Sequence, residues 1–593
     1  MKPAAIFQNG MILQRNKPVV IWGTGARGET IRGEIQGRQG EAAADAAGNW
    51  TLTLPPLDAS DEEELVLRSV SAAGESEAIT FSQVAVGEVW VAGGQSNMEF
   101  HMRYEKHRAE ALKNCSNPRV RFFDVPEVSY DGQAEEFDYS RMGIWRKADP
   151  ENLEYFSAVG YYFERELERV LDVPVGIIGC NWGGTRSCAW MSAESVERAG
   201  KPWMQMYEDR IAEMDLEEYW EKQHGNPMNH RGDPFGDPFG ETVLPRTLSP
   251  EELADFFQNM PAGTEDYLEC MMPCEIPGSL YEHMLKTIAP YGIRGFLWYQ
   301  GESDDEPGKQ CLYRDMLAAL IGDWRTLWKD AGLPFLFVQL PGWENWLLDG
   351  PGNRDYMTIR SCQEMAARTV SNAYLCSISD AGEQMDIHPK DKKVVGERLA
   401  LLARGHVYGE SLLCDAPMAE SIRRDGSRIE IVFQNAEGGL KVKGDAVEAL
   451  HVYPVEFSGA EKPACEEAGH GAGCGDECLT ASDAEGDADY SEAILADAGE
   501  ESRADCSEAI LADAGEESRA DYSETILAGT DAEGSADRRE EIPVTADVEG
   551  EKLVILLPEG VGKVSVEFAR TRWYLVNLYN QADIPAIPFE LIC

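Results

Sequence analysis

Residues Gly87 to Phe100 read GEVWVAGGQSNMEF, and the fold turns on how this stretch is read. Val89-Trp90-Val91-Ala92 is an apolar run of the β type, Gly93 and Gly94 end it, and Ser96 follows with Asn97 and Met98 behind it. A strand that breaks at glycines into a turn and then a helix is how α/β enzymes present a serine hydroxyl at the carboxyl edge of a sheet. The same window also fits a plain strand-to-helix turn whose serine only caps the helix. The choice depends on what the rest of the chain supplies.

Downstream of Gly87, strands and helices alternate. Helical apolar spacing covers Phe156 to Leu171, Leu280 to Ile288, Leu312 to Trp328 and Lys392 to Ala403. Short apolar runs at Val175 to Cys180, Gly295 to Tyr299, Pro334 to Leu340 and Asn372 to Ser379 read as buried strands. This alternation predicts a mostly parallel sheet covered by helices on both faces. Upstream, residues 1–86 read as a small sandwich, with runs at Val19 to Trp22, Thr30 to Ile35, Trp50 to Leu54 and Glu64 to Val70 between Gly, Pro and Asp turns. After His406 the chain is again β, at Arg428 to Phe433, Glu448 to Val455, Leu553 to Leu557 and Lys563 to Phe568. The expected organisation is an N-terminal β domain (1–86), a central α/β domain (87–405) and a C-terminal β region (406–458 and 542–593). Residues 200–275, rich in Asp, Glu, Pro, Gly and Met, break the alternation and read as an insertion.

A chain of 593 residues is too long for a single growing core. Its net charge of −52 argues against nucleic acid and anionic membranes as partners. The charge is uneven: Gly459 to Glu541 carries 25 acidic against 5 basic residues. Within it, ADYSEAILADAGEESR from Ala488 recurs as ADCSEAILADAGEESR from Ala504 and decays in a third copy from Ala520. Each copy offers one small apolar patch among acids, so residues 459–541 are expected to be a disordered insert. Cys465, His470, Cys474 and Cys478 lie there at spacings that match no compact zinc signature, and no metal is expected. There is no apolar run long enough to span a membrane and no signal-peptide pattern, so a cytoplasmic protein with reduced cysteines is expected.

Four windows place polar groups just after an apolar strand: Ser96; Gly183-Gly184-Thr185; Gln300, behind Trp298-Tyr299; and Asp386-Ile387-His388-Pro389. Acyl transfer by a serine needs a base of suitable pKa, which histidine supplies. It also needs donors aimed at the oxyanion, and the Ser96 N–H, a glycine N–H and the Gln300 amide are candidates. A carboxylate to hold the imidazole would complete the set.

In that order, GGQSNME, NWGGT, GFLWYQGESD and DIHPKDKKVVGERLA resemble the sialate O-acetylesterase family of SGNH-type carbohydrate esterases. MILQRNKPVVIWG near the start and VNLYNQADIPAIPFEL near the end are similar to that family's accessory β regions. The resemblance implies a three-layer SGNH hydrolase domain with accessory β-sandwich-like domains, working without metal or organic cofactor. It implies hydrolysis of O-acetyl esters on carbohydrates, most of all sialic acid, through an acetyl-serine intermediate. Ser96 would be the nucleophile and His388 the general base; Gly184 (or Gly183) and Gln300 would line the oxyanion hole with Ser96. For the third member, Asp386 stands two residues before His388, where SGNH hydrolases generally place the acid three before. Asp380 competes with it, and so does a Ser–His dyad.

For the substrate, Arg186 could pair with a sugar carboxylate, though a loop arginine at the surface fits as well. Trp182, Trp190 and Trp298 have faces that stack on sugars and equally suit a buried core. Glu302 reads as a residue that orients its loop or touches substrate rather than as the base. Cys188 stands where the family commonly has an acidic residue, which bears on substrate contacts there. Two rival functions stay open: deacetylation of xylan or another glycan, and non-catalytic carbohydrate binding on an esterase scaffold.

Overall fold

The structure, a computed structural model, describes residues 1–71, 74–226, 229, 244, 249, 252, 255, 271–344, 356–455 and 540–593. Of the insert at 459–541, expected to be disordered, residues 459–539 with all its cysteines lie outside the described residues, as does most of the second half of the 200–275 insertion.

The central sheet contains seven strands of the α/β region: β1 (Gly74–Gly94), β2 (Asn117–Asp124), β3 (Trp145–Ala148), β4 (Val175–Asn181), β5 (Gly295–Tyr299), β6 (Phe335–Val338) and β7 (Ala373–Cys376). Their spatial order is β3-β2-β4-β1-β5-β6-β7. Every neighbouring pair is parallel except β3 with β2. β4 and β5 are buried along their whole length, as a strand covered on both faces must be.

Five helices matter to the site: α1 (Ser96–Glu99), α2 (Ala158–Leu171), α3 (Tyr313–Trp328), α4 (Met357–Thr369) and α5 (Lys393–His406). Side-chain alternation along β1 assigns two of them to opposite faces. Trp90 meets Phe163 of α2 on one face. On the other, a Cβ at Gly93 would lie 2.4 Å from Trp324 of α3. Ser157 starts α2, its Oγ accepting from Gly160 N at 3.1 Å, and Asp172 ends the helix in the left-handed region at φ 53°. α5 buries Val395, Gly396, Leu399, Ala400, Leu402 and Ala403, a stripe of helical spacing. Gly396 lets α5 lie against α2, since a Cβ there would sit 2.6 Å from the Val159 carbonyl oxygen.

β1 crosses the boundary that the sequence places at residue 86. Its first half pairs antiparallel with Ser60–Ser71, and Ile12–Gln14 runs beside Ala85–Gly87. Its second half is the centre of the parallel sheet. Exposed and buried residues mix from Glu77 to Gln83, whereas Val84 to Gly94 are all buried, so the pattern changes inside one continuous strand. A second core, around Ile429, Phe433, Val566 and Phe568, belongs to the C-terminal strands.

The topology prepares the site. From β1 the chain goes outward to β2, returns to β4 beside β1, then crosses to β5 on the other side. Strand order therefore reverses at β1, the place where α/β sheets open a crevice at their carboxyl ends. Gly94 pairs with both Asn181 of β4 and Tyr299 of β5, so the three ends are level. Gly94 has φ 138°, and a Cβ on it would come within 2.2 Å of the Tyr299 carbonyl oxygen. Gly94→Ala is therefore expected to destabilise the fold by at least about 2 kcal/mol. A urea midpoint equal to that of the wild type would contradict this close approach.

Candidate active site

Ser96 opens α1 one residue after the Gly93-Gly94 break, with Gln95 as the N-cap, and its Oγ lies 2.9 Å from His388 Nε2. The two residues are 292 positions apart in the chain. His388 is 4% exposed and sits in the loop between β7 and α5. Burial holds its pKa well below the ordinary 6.5, and the Lys390 and Lys392 ammoniums push it further down. The imidazole is therefore neutral near pH 7, with a ring nitrogen facing the serine hydroxyl. A neutral imidazole at this distance can take the hydroxyl proton.

Asn97 holds the two halves together. Its Nδ2 donates to Glu302 Oε1 at 2.6 Å and to the Ile387 carbonyl at 3.0 Å, and its Oδ1 accepts from Lys392 Nζ. One amide thus joins the serine turn, the loop after β5 and the loop carrying His388. Lys392 is fully buried, its Nζ 4.8 Å from the centre of the Phe100 ring and 5.4 Å from that of Tyr299. Burial and Lys390 lower its pKa to about 7, while Glu302, Asp386 and Glu383 oppose the shift. Burial raises the pKa of Glu302, and the Asn97 amide holds it down.

Asp386 lies beside the histidine and makes a turn with it. Its Oδ1 accepts from the His388 backbone N–H at 2.8 Å and stands 3.7 Å from Nδ1, beyond hydrogen-bond length. Its Oδ2 pairs with Lys390 Nζ at 2.8 Å. Asp380, the competitor, is committed elsewhere: Arg398 grips both its oxygens at 2.6 and 2.8 Å, and Tyr579 donates to it at 3.1 Å.

The turn after β4 separates its two glycines. Gly183 N–H donates to Glu99 Oε2 at 2.6 Å, so it is already in use. Gly184 takes φ 79° with open space where a Cβ would stand, and its carbonyl accepts from Ser303 Oγ at 3.0 Å. Gln300 departs from its expected place. It is fully buried, and its Nε2 donates to Asp304 Oδ2 at 2.5 Å and to the Thr185 carbonyl at 3.2 Å, while Tyr313 OH donates to its Oε1. Its amide N–H groups are thus engaged by the turn that carries Gly184 and by Asp304.

The expected substrate contacts change as well. Trp298 is fully buried in an aromatic cluster with Trp190, Trp324 and Phe335, so it offers no face to a sugar. Trp182 and Trp190 are buried too, as is Cys188. Arg186 pairs with Glu275 at 3.2 Å and Glu306 at 3.4 Å and stacks over Trp203, so its charge is engaged within the protein. Glu302 is buried, and its Oε1 accepts from the Asn97 amide.

Sequence reasoning passed over Asn97, Glu99, Asp304 and Lys392, although all four stand inside the quoted motifs. Asp304 accepts from both the N–H and the Oγ of Ser187 and so ties the β5 loop to the β4 loop. The available signal was a set of polar residues next to strand ends, which does not reveal which of them are buried partners. Asn97→Ala would strand a buried ammonium and a buried carboxyl, and it is expected to cost roughly 3 kcal/mol. Chemical unfolding of the variant measures this, and a loss under ~1 kcal/mol would refute the clamp.

A buried neutral imidazole set against a serine hydroxyl, at the carboxyl edge of a parallel sheet, is equipment for acyl transfer. Comparison with known proteins agrees with the motif resemblance. Residues 265–402 match a family described as carbohydrate esterase, sialic acid-specific acetylesterase. The chain is 25% identical over 449 residues to a sialate O-acetylesterase of Mus musculus, covering 71% of this chain and 76% of that protein. To the sialate O-acetylesterase of Homo sapiens it is 26% identical over 455 residues, covering 71% and 73%. A solved carbohydrate acetylesterase from Xanthomonas citri has a similar fold, with a TM-score of 0.65, 24% identity and coverage of 100% and 99% of the two chains.

Proposed function

We propose that this chain hydrolyses O-acetyl esters on carbohydrates, with sialic acid as its substrate class, through a serine mechanism on a three-layer SGNH-type domain. The observation that carries the reading is the 2.9 Å approach of His388 Nε2 to Ser96 Oγ in a chain similar to sialate O-acetylesterases.

Ser96 Oγ attacks the acetyl carbonyl carbon while its proton passes to His388 Nε2. The Ser96 and Gly184 N–H groups face the resulting oxyanion, and Gln300 supports the second donor through the Thr185 carbonyl. The tetrahedral intermediate expels the sugar hydroxyl, which takes the proton from His388, and acetyl-Ser96 remains. Water gives a proton to His388 as its oxygen attacks the acetyl carbon; the second tetrahedral intermediate expels Ser96 Oγ, which takes that proton back, and acetic acid leaves and ionises to acetate. Asp386 fixes the His388 turn and places negative charge near the imidazolium as it forms.

Ser96→Ala and His388→Ala should each lower acetate release from p-nitrophenyl acetate by at least about 10³-fold with folding intact. Activity preserved in either variant would exclude the mechanism. A panel of O-acetylated sialic acids against acetylated xylan addresses the substrate, and equal or better turnover of xylan would reassign it. Asp386→Asn should impair turnover; loss with Asp380→Asn alone would transfer the role.

The rate requires neutral His388, so kcat/KM falls as pH drops through the pKa of that imidazole. Because this pKa is held below 6.5, the acid limb is expected below pH 6.5. Lys390→Gln removes one ammonium that disfavours imidazolium, so the limb should move to higher pH. A limb that stays in place or moves down would contradict the electrostatic assignment.

A further inference from the structure

Away from Ser96, three different donor types meet at the end of α5. His406 is the last residue of that helix, and Cys414 and Asp415 follow in the segment leading to the strand Met418–Asp425. One ligand atom from each of the three lies within 4.8 Å of the others. His406 Nε2 is 2.9 Å from both Asp415 carboxylate oxygens, and Cys414 Sγ is 3.6 Å from Asp415 Oδ2.

These separations fit a metal polyhedron. In a tetrahedral zinc site, metal–ligand bond lengths give edges of roughly 3.3 Å between N and O and roughly 3.6 Å between S and O. The N–O and S–O pairs therefore need only a few tenths of an ångström of side-chain adjustment, and the remaining N–S pair lies within 4.8 Å. Their supports are also in place. The Tyr374 ring stacks on His406 at 3.8 Å and 13°, and Asn580 Nδ2 donates to the Asp415 carbonyl at 2.9 Å. A Cβ on Gly405 would sit 2.3 Å from Cys414 Sγ, so the glycine makes room for the sulfur against the helix end.

An ion pair accounts for His406 and Asp415 but does not call for a thiol at the same point. Thiolate, imidazole and carboxylate together favour zinc over magnesium or calcium. The other such group among the described residues, Glu105, His107 and Asp391, lacks sulfur and already holds a cation, with Lys106 Nζ 3.3 Å from Asp391.

We propose that His406, Cys414 and Asp415 bind Zn²⁺, with water as the fourth ligand, and that the ion cross-links the end of α5 to the segment entering the C-terminal strands. Binding forms a Zn–S bond and releases the Cys414 thiol proton to solvent, without change of oxidation state.

The test uses the full chain, stripped with a chelator and kept reduced, titrated with Co²⁺ and then with Zn²⁺ in competition. The wild type should give a thiolate-to-cobalt charge-transfer band that Zn²⁺ abolishes. Cys414→Ser should lose the band, and His406→Gln, at a partly exposed position, should weaken binding at least 10-fold. Because Cys465, Cys474 and Cys478 can also bind cobalt, a variant lacking residues 459–541 is titrated in parallel and should keep the band. Zn²⁺ should raise the Tm of the wild type and leave that of folded Cys414→Ser unchanged. No band in the wild type, an undiminished band in Cys414→Ser, or its loss on removal of 459–541 would each overturn the proposal.

Discussion

The whole site depends on the Asn97 side-chain amide. Ser96 and His388 come from distant parts of the chain, and their 2.9 Å contact survives only if the serine turn and the histidine loop are held in register. Asn97 does this by satisfying Glu302, the Ile387 carbonyl and Lys392 together. The interaction is strong because every partner is buried, and buried polar groups without partners are costly. The same burial keeps His388 neutral. The clamp and the neutral imidazole are thus two consequences of one desolvated environment.

Backbone packing beneath the clamp sets its height. β1, β4 and β5 end level because Gly94 pairs with Asn181 and with Tyr299, and no side chain fits between β1 and β5 at that point. The loops after the three strands then interlock through short polar contacts: Glu99 with Gly183, Asp304 with Ser187, and Ser303 with Gly184. Two of these contacts use carboxylates, Glu99 and Asp304, to fix loops.

The end of the chain supports the histidine loop from outside. Val576 N–H donates to the Ser379 carbonyl, Ser379 Oγ donates to the Ala586 carbonyl, and Tyr579 joins Arg398 on Asp380. Gly342 has no side chain because Tyr574 backbone lies against it. The C-terminal segment is therefore part of what gives the His388 loop its shape, and Asp380 belongs to that support.

Much of this protein was legible in one dimension. Periodicity located β5 to the residue and α2, α3 and α5 to within a few, because both-face burial and amphipathic helices leave local patterns. Ser96 and His388 stood out because each follows a strand and belongs to a motif of recognisable order. The boundary at residue 86 shows the limit, since a change from one-face to two-face burial within β1 looks in sequence like a change of domain. Gln300, Trp298 and Arg186 show a second limit. A residue type fits substrate binding or internal packing equally well until its neighbours are known. Sequence alone determined which strands and helices form and which residues have the chemistry. Only the tertiary structure decided which of those groups are buried against each other, because burial and pairing arise between segments hundreds of residues apart.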